Sequence, residues 1–259
     1  MSNLCIYRPK GKAGEYAAWA CNLYTGCSNA CEYCYCRRGP LGSLWTPEAR
    51  LKKCFRNEEH AYSVFIREME TNRDALRREG LFFTFTTDPF LPETRDLTWN
   101  CILTAKGYGV PVSVLTKRAD FVNAIYVDKW IRHEGLAFGF TLTGRDDLET
   151  GASSNAERLA AMARLHDMGF RTFASLEPVI VPELTLDIYD LLVLNHCCDL
   201  VKVGLESGRK EPYDRAAVET LYGVIKAGPI SSYMKHSVTR FLGLPEEEPK
   251  DVFKIEDNG

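Results

Sequence analysis

Three cysteines fall within eight residues: Cys27, Cys31 and Cys34, spaced C-x3-C-x2-C in Gly26-Cys27-Ser28-Asn29-Ala30-Cys31-Glu32-Tyr33-Cys34-Tyr35-Cys36-Arg37-Arg38. Three thiolates so spaced in a loop can ligate three irons of a cubane cluster. The fourth iron is then left without a protein ligand, and an open metal position lets a small molecule bind metal directly. Structural zinc is the competing reading. It wants a fourth ligand, which Cys21 or Cys36 could supply, and usually a second CxxC pair. Neither Cys197-Cys198 nor any His pair has that spacing.

The chain carries ten cysteines in 259 residues. Its N-terminus, MSNLCIYRPKGKAGEY, is polar and lacks the apolar core of a secretory signal. Clustered cysteines without such a signal point to metal in a reducing cytoplasm rather than to a disulfide scaffold. No run approaches about 18 uninterrupted apolar residues, so no membrane span and no membrane partner is expected. The formal net charge of -3 provides no whole-surface basic field for nucleic acid. Arg37-Arg38 and Lys52-Lys53 remain as local basic patches.

Short apolar runs alternate with helical patterns. Strands are predicted at 18–23, 81–86, 112–115, 136–142, 172–176 and 200–203. Helices are predicted at 57–78, 92–106, 121–134, 155–168, 187–197 and 214–227, the fourth after a Ser153-Ser154 N-cap and before Gly169. Six strands separated by helices imply parallel pairing. An eight-stranded barrel needs about 250 residues and more strand signal than the ends of this chain offer. The expected fold is therefore α/β, a partial (β/α)6 TIM-like barrel in a single domain. A doubly wound open sheet is the alternative. Residues 1–17 are expected to form an arm, 18–230 the barrel and 231–259 an extension, with both ends irregular or frayed.

The cysteine run resembles the radical S-adenosylmethionine (SAM) superfamily. Tyr24-Thr25-Gly26-Cys27 leading to Tyr33-Cys34-Tyr35 resembles, more narrowly, its spore photoproduct lyase-like branch, with Thr25 as an insertion. Further matches are Thr86-Thr87-Asp88-Pro89, Thr116-Lys117, Phe140-Thr141 and Leu176-Glu177-Pro178-Val179. The resemblance implies a [4Fe–4S] cluster and SAM as cofactors, and reductive SAM cleavage to a 5′-deoxyadenosyl radical that abstracts hydrogen. It also implies a one-electron donor such as a flavodoxin or ferredoxin, and a nucleic-acid or peptide substrate. Thr87, Asp88, Lys117, Thr141 and Glu177 are the implied cofactor-binding residues, and Tyr33 and Tyr35 the implied catalytic pair. Each has an ordinary alternative: a Thr-Asp-Pro turn for Thr87 and Asp88, a solvated strand-end Lys117, a core Thr141, packing tyrosines. For Glu177 the alternative is a structural pair with Arg145 or Arg171. The hydrogen-donating cysteine of the lyase has no counterpart in the segment 83–88. A zinc-stabilised binding module or an iron–sulfur electron carrier without SAM chemistry are the other classes, and three ligands rather than four argue against both.

Overall fold

The computed structural model describes residues 5–38, 42–43, 45–123 and 134–255. Strands β1 (Ile6–Tyr7) and β2 (Ala20–Cys21) come first, and a small hairpin of β3 (Tyr24–Thr25) and β4 (Arg50–Leu51) follows. Next are helices α1 (Glu58–Thr71) and α2 (Arg73–Glu79), β5 (Leu81–Phe83), α3 (Arg95–Gly107), β6 (Val112–Thr116) and β7 (Leu136–Thr141). The chain continues through α4 (Asn155–Asp167), β8 (Arg171–Val179), α5 (Pro182–Leu194), β9 (Leu200–Leu205), α6 (Arg215–Ala227), β10 (Ser231–Met234) and α7 (His236–Leu242). The order β1-β2-β5-β6-β7-β8-β9-β10 makes one eight-stranded sheet, parallel except for β1 against β2.

All six expected strands are present, and the partial-barrel reading holds. The sheet is longer than expected. Ile6–Tyr7 pairs with β2, and Ser231–Met234 adds a seventh parallel strand beside β9. Both runs are short and mostly polar or aromatic, so period alone gave them no strand signature. The long helix expected at 57–78 breaks at Asn72, which caps α1 and opens α2. Helix α4 starts as expected, with a capping box between Ser154 and Glu157. Helix α5 begins five residues earlier than the expected 187, at Pro182, whose fixed φ suits a first turn. Of the helix expected at 121–134, residues 124–133 lie outside the described residues.

Two apolar clusters hold the molecule. The larger lies between sheet and helices, where Phe90, Phe121 and Phe138 pack with Met162 and Leu165 of α4. Burying each such side chain contributes roughly 1.5–3 kcal/mol. The smaller cluster lies within the barrel: Phe82, Ala137, Phe173 and Leu200, with Val252 and partly buried Phe253 and Ile255. Gly139 makes this layer possible, because a Cβ there would come within 2.2 Å of the Phe173 ring. Residues 252–255 therefore plug the base of the barrel.

Candidate functional site

The cysteine loop leaves the β3–β4 hairpin at Gly26. Its φ is +84°, and a Cβ would meet the Glu48 carbonyl oxygen at 2.3 Å, so only glycine fits. Cys27 N donates to Thr46 O at 3.1 Å. On the other side the loop is clamped by 148–151: Glu32 N donates to Leu148 O at 3.0 Å and Gly151 N to Asn29 O at 3.1 Å. Gly151 lies so close that a Cβ would sit 2.0 Å from Ser28 O.

Above the barrel's apolar layer opens a cavity of about 660 Å³, lined from the C-terminal strand ends. All ten residues singled out from sequence line it: Cys27, Cys31, Cys34, Tyr33, Tyr35, Thr87, Asp88, Lys117, Thr141 and Glu177. Strand alternation explains Thr141, since Phe138 and Phe140 face the helices.

Burial pushes the Cys27 thiol up to about 12 and raises Cys31 as well. A hydrogen bond with the Cys36 thiol brings Cys34 down to about 6. At both thiols a bound cation would take the place of the proton, which is released. Among the described residues, no three His, Cys, Asp or Glu side chains close on one point as a single ion demands. Thiolates on three separate corners of a cubane need not do so. The donor set thus fits a cluster. The Thr87 hydroxyl, buried without a partner, leaves a hydrogen bond for a bound molecule to make.

Asp88 is 6% exposed, and its carboxylate is fully engaged. Oδ1 accepts from Thr116 Oγ1 at 2.7 Å and Phe90 N at 3.0 Å; Oδ2 accepts from Lys117 N at 2.7 Å and Asn29 Nδ2 at 2.8 Å. It ties the cysteine loop to the ends of two strands. Lys117 is not a solvated strand-end lysine. Its Nζ donates to Tyr33 OH at 2.9 Å and pairs with Glu149 Oε1 at 3.1 Å. Glu149 also accepts from the Tyr33 hydroxyl and from Arg158. Arg158 is fully buried on α4, and its Nη1 donates to Thr141 O at 2.5 Å. Burial pushes the Glu149 carboxyl up, but Lys117 and Arg158 together bring it down to about 2.

At the far end of the cavity, Glu177 receives Lys235 Nζ at 2.9 and 2.8 Å and Tyr16 OH at 2.7 Å. The expected alternatives are corrected here: Arg145 pairs with Asp147 and Arg171 with Asp199. Tyr16 OH also meets Ser175 Oγ at 2.6 Å, and Lys202 Nζ donates to Tyr16 O at 3.2 Å. The segment carrying Tyr16 thereby bridges β8, β9 and the start of α7. Tyr35 is 53% exposed, its hydroxyl donating to Phe85 O. A thiol reaches the segment 83–88 from elsewhere: Cys36 Sγ lies 3.4 Å from Phe85 O. Cys197 is buried away from the cavity, and Cys198 Sγ sits 3.2 Å from Leu200 O.

Sequence reasoning missed Glu149, Arg158, Tyr16 and Lys235. One signal was available. Arg158 shares the face of α4 with Ala161, Met162 and Leu165, and a buried guanidinium requires a buried anion.

No family model matches the chain. An uncharacterized protein of Methanocaldococcus jannaschii is 26% identical over 180 residues, 65% of this chain and 62% of that protein. The chain thus matches less than two thirds of that relative's length. SuiB of Streptococcus suis, bound to S-adenosylmethionine, superposes with a TM-score of 0.56 at 12% identity, covering 87% of this chain and 54% of SuiB. Spore photoproduct lyase complexed with dinucleoside spore photoproduct superposes with a TM-score of 0.56 at 16% identity, covering 89% of this chain and 66% of the lyase. SuiB is also known bound to its precursor peptide SuiA. No helix among the described residues is long and apolar enough to cross a membrane. Strand order, cysteine loop and superposition agree: the chain has the partial-barrel fold of radical SAM proteins, in its spore photoproduct lyase-like form.

Proposed function

We propose that the chain is a radical SAM enzyme, with a [4Fe–4S] cluster on Cys27, Cys31 and Cys34 and SAM in the cavity beside it. The observation that carries this reading is the convergence of three loop thiols and seven further site residues on one cavity at the C-terminal strand ends. When bound, the cluster supplies one electron for cleaving SAM to methionine and a 5′-deoxyadenosyl radical, which abstracts hydrogen from substrate.

The chain's own residues bind, orient and exclude water. The Thr87 hydroxyl, unpartnered at the wall, makes a hydrogen bond to SAM. Lys117, Thr141 and Glu177 present a cation, a hydroxyl and a carboxylate to the same cavity. Asp88 acts one step back, fixing the backbone of Lys117 and the amide of Asn29. Tyr33 and Tyr35 flank the third ligand, where they pack against the cluster or pass hydrogen. Tyr16 and the segment before it cover the far end and limit water.

For the substrate we propose a nucleic acid. Lys10 and Lys12 are exposed and line the cavity together with Lys52, cations that a phosphate backbone would meet. A peptide is the second reading. Whether the reaction is of lyase or transferase type follows from the substrate, and a flavodoxin or ferredoxin is the proposed electron donor.

Anaerobic reconstitution with iron and sulfide tests the class. The expected product is brown, absorbs in the visible and forms 5′-deoxyadenosine from SAM when reduced by dithionite. Cys31→Ala abolishes this while circular dichroism stays native. Turnover retained by Cys31→Ala, or a colourless zinc protein, refutes the reading. Oligonucleotide rather than peptide should stimulate 5′-deoxyadenosine formation.

A further inference from the structure

The first strand brings a tyrosine to the cavity from outside every motif. Ile6 joins the core between sheet and helices, so alternation turns Tyr7 to the barrel interior, where it lines the cavity. Its hydroxyl meets Asn22, which follows β2 and is buried. Asn22 Oδ1 accepts from Phe85 N at 2.8 Å, and Nδ2 donates to Tyr7 OH at 2.7 Å.

The backbone partner decides which way that amide faces. A peptide N–H only donates, so the Asn22 atom toward Phe85 is the oxygen and the atom toward Tyr7 is the nitrogen. The Tyr7 oxygen is thus an acceptor here, and a phenol still has one hydrogen to give. Among the described residues the Tyr7 hydroxyl makes no other hydrogen bond, so that hydrogen is left for a molecule in the cavity.

The surroundings indicate which acceptor it suits. Phe85 joins this corner to Tyr35, whose hydroxyl donates to Phe85 O and whose side chain is half-exposed in the same cavity. An accessible aromatic face offers stacking to a planar ring. A neutral phenol beside it matches a ring carbonyl. A phosphate calls for cations, and these stand farther along the same segment at Lys10 and Lys12. The residues proposed to hold SAM, from Thr87 to Glu177, belong to the ends of β5 to β8, whereas Tyr7 is on β1 at the open edge of the sheet.

We infer that Tyr7 is a specificity-determining residue: its hydrogen, turned away from the wall by Asn22, bonds a ring carbonyl of a nucleobase in the cavity. The inference rests on the nucleic-acid reading above and adds to it a choice among bases, favouring those with a carbonyl oxygen over adenine.

The test is fluorescence anisotropy of labelled oligothymidylate and oligodeoxyadenylate on the reconstituted full chain with SAM present. Thymine carries ring carbonyls and adenine carries none. Tyr7→Phe should weaken oligothymidylate binding about five- to tenfold, the worth of one hydrogen bond, and change oligodeoxyadenylate binding by less than about twofold. Asn22→Asp reaches the same end with the hydroxyl still in place. Its carboxylate keeps one oxygen for Phe85 N and turns the other to Tyr7, which then gives its hydrogen to the wall. The added negative charge weakens both oligonucleotides alike, so the ratio between them should shift against thymine as it does in Tyr7→Phe. Wild-type protein that binds neither oligonucleotide overturns the nucleic-acid reading and this inference with it. Wild-type binding with equal losses on both oligonucleotides in Tyr7→Phe, or with a ratio unmoved in either variant, overturns this inference alone.

Discussion

The two ends of the barrel are built from the same strands and have opposite chemistry. Along β8 the inward positions run Phe173, Ser175, Glu177; along β9, Leu200 and then Lys202; along β7, Ala137, Gly139, Thr141. The base is apolar and sealed by Val252. The mouth is polar, and nearly every charge in it has a partner. Polarity rises stepwise in the chain direction. The base therefore supplies stability by exclusion of water, and the mouth holds its groups by mutual neutralisation. An apolar base tolerates a change of shape poorly, and a neutralised mouth tolerates a change of charge poorly.

Substitutions can break that contrast. The largest effect is expected from Arg158→Met, which leaves the buried Glu149 with Lys117 as its one charged partner beside the Tyr33 hydroxyl. Losing one partner of a buried pair costs about 3–5 kcal/mol. Urea denaturation measures it, and a loss under about 1 kcal/mol would mean that the mouth is not held by charge pairing. At the base, Phe173→Ala should cost about 3–5 kcal/mol through the void it opens. It should do so without change in SAM affinity, which equilibrium dialysis checks.

Gly139→Ala sharpens the picture from the other side. Its Cβ would press on the Phe173 ring, and overpacking of this kind costs about 1–3 kcal/mol. Phe173→Leu in the same chain should restore part of the loss, measured as a thermal midpoint.

The pH profile offers the smallest effects. The Glu149 carboxyl is held at about 2, below its ordinary 4.5, so the unfolded chain binds the proton first as pH falls. Its contribution is complete above pH 4.5 and fades as pH drops toward about 2. Glu149→Gln should flatten that acid limb. Lys202 behaves oppositely. Desolvation lowers it from 10.5 to about 8, so the folded state sheds its proton before the unfolded one. Stability should then rise with pH between 8 and 10.5, and Lys202→Met should abolish that rise.

The six central strands were legible because each is a short apolar run between helical patterns, and the cysteine loop because its spacing is a chemical statement in itself. The resemblance then singled out Thr87, Lys117, Thr141 and Glu177 near the strand ends, and the barrel brings all four to one cavity. What stayed hidden were partners supplied by distant sequence. Lys235 meets Glu177 across 58 residues, and Tyr33 meets Glu149 across 116. A local pattern can announce that a charge needs a partner; only the closed barrel decides which one arrives. Ser231–Met234 was unreadable for a related reason: its identity as a strand comes from the free edge of β9, not from its own residues.

Strands β1 and β10 end the sheet without meeting, and the gap is crossed by residues 12–16 through side-chain and carbonyl contacts rather than a ladder. Glu15 holds His236 N and Tyr233 OH there, and Tyr16 holds Ser175 and Glu177. A hinge line of this sort yields before any interior pair of strands does. Opening of the wall is expected first along this longitudinal slit beside the far pole of the cavity. Amide protons of β10 should accordingly trade with deuterium sooner than those of β8.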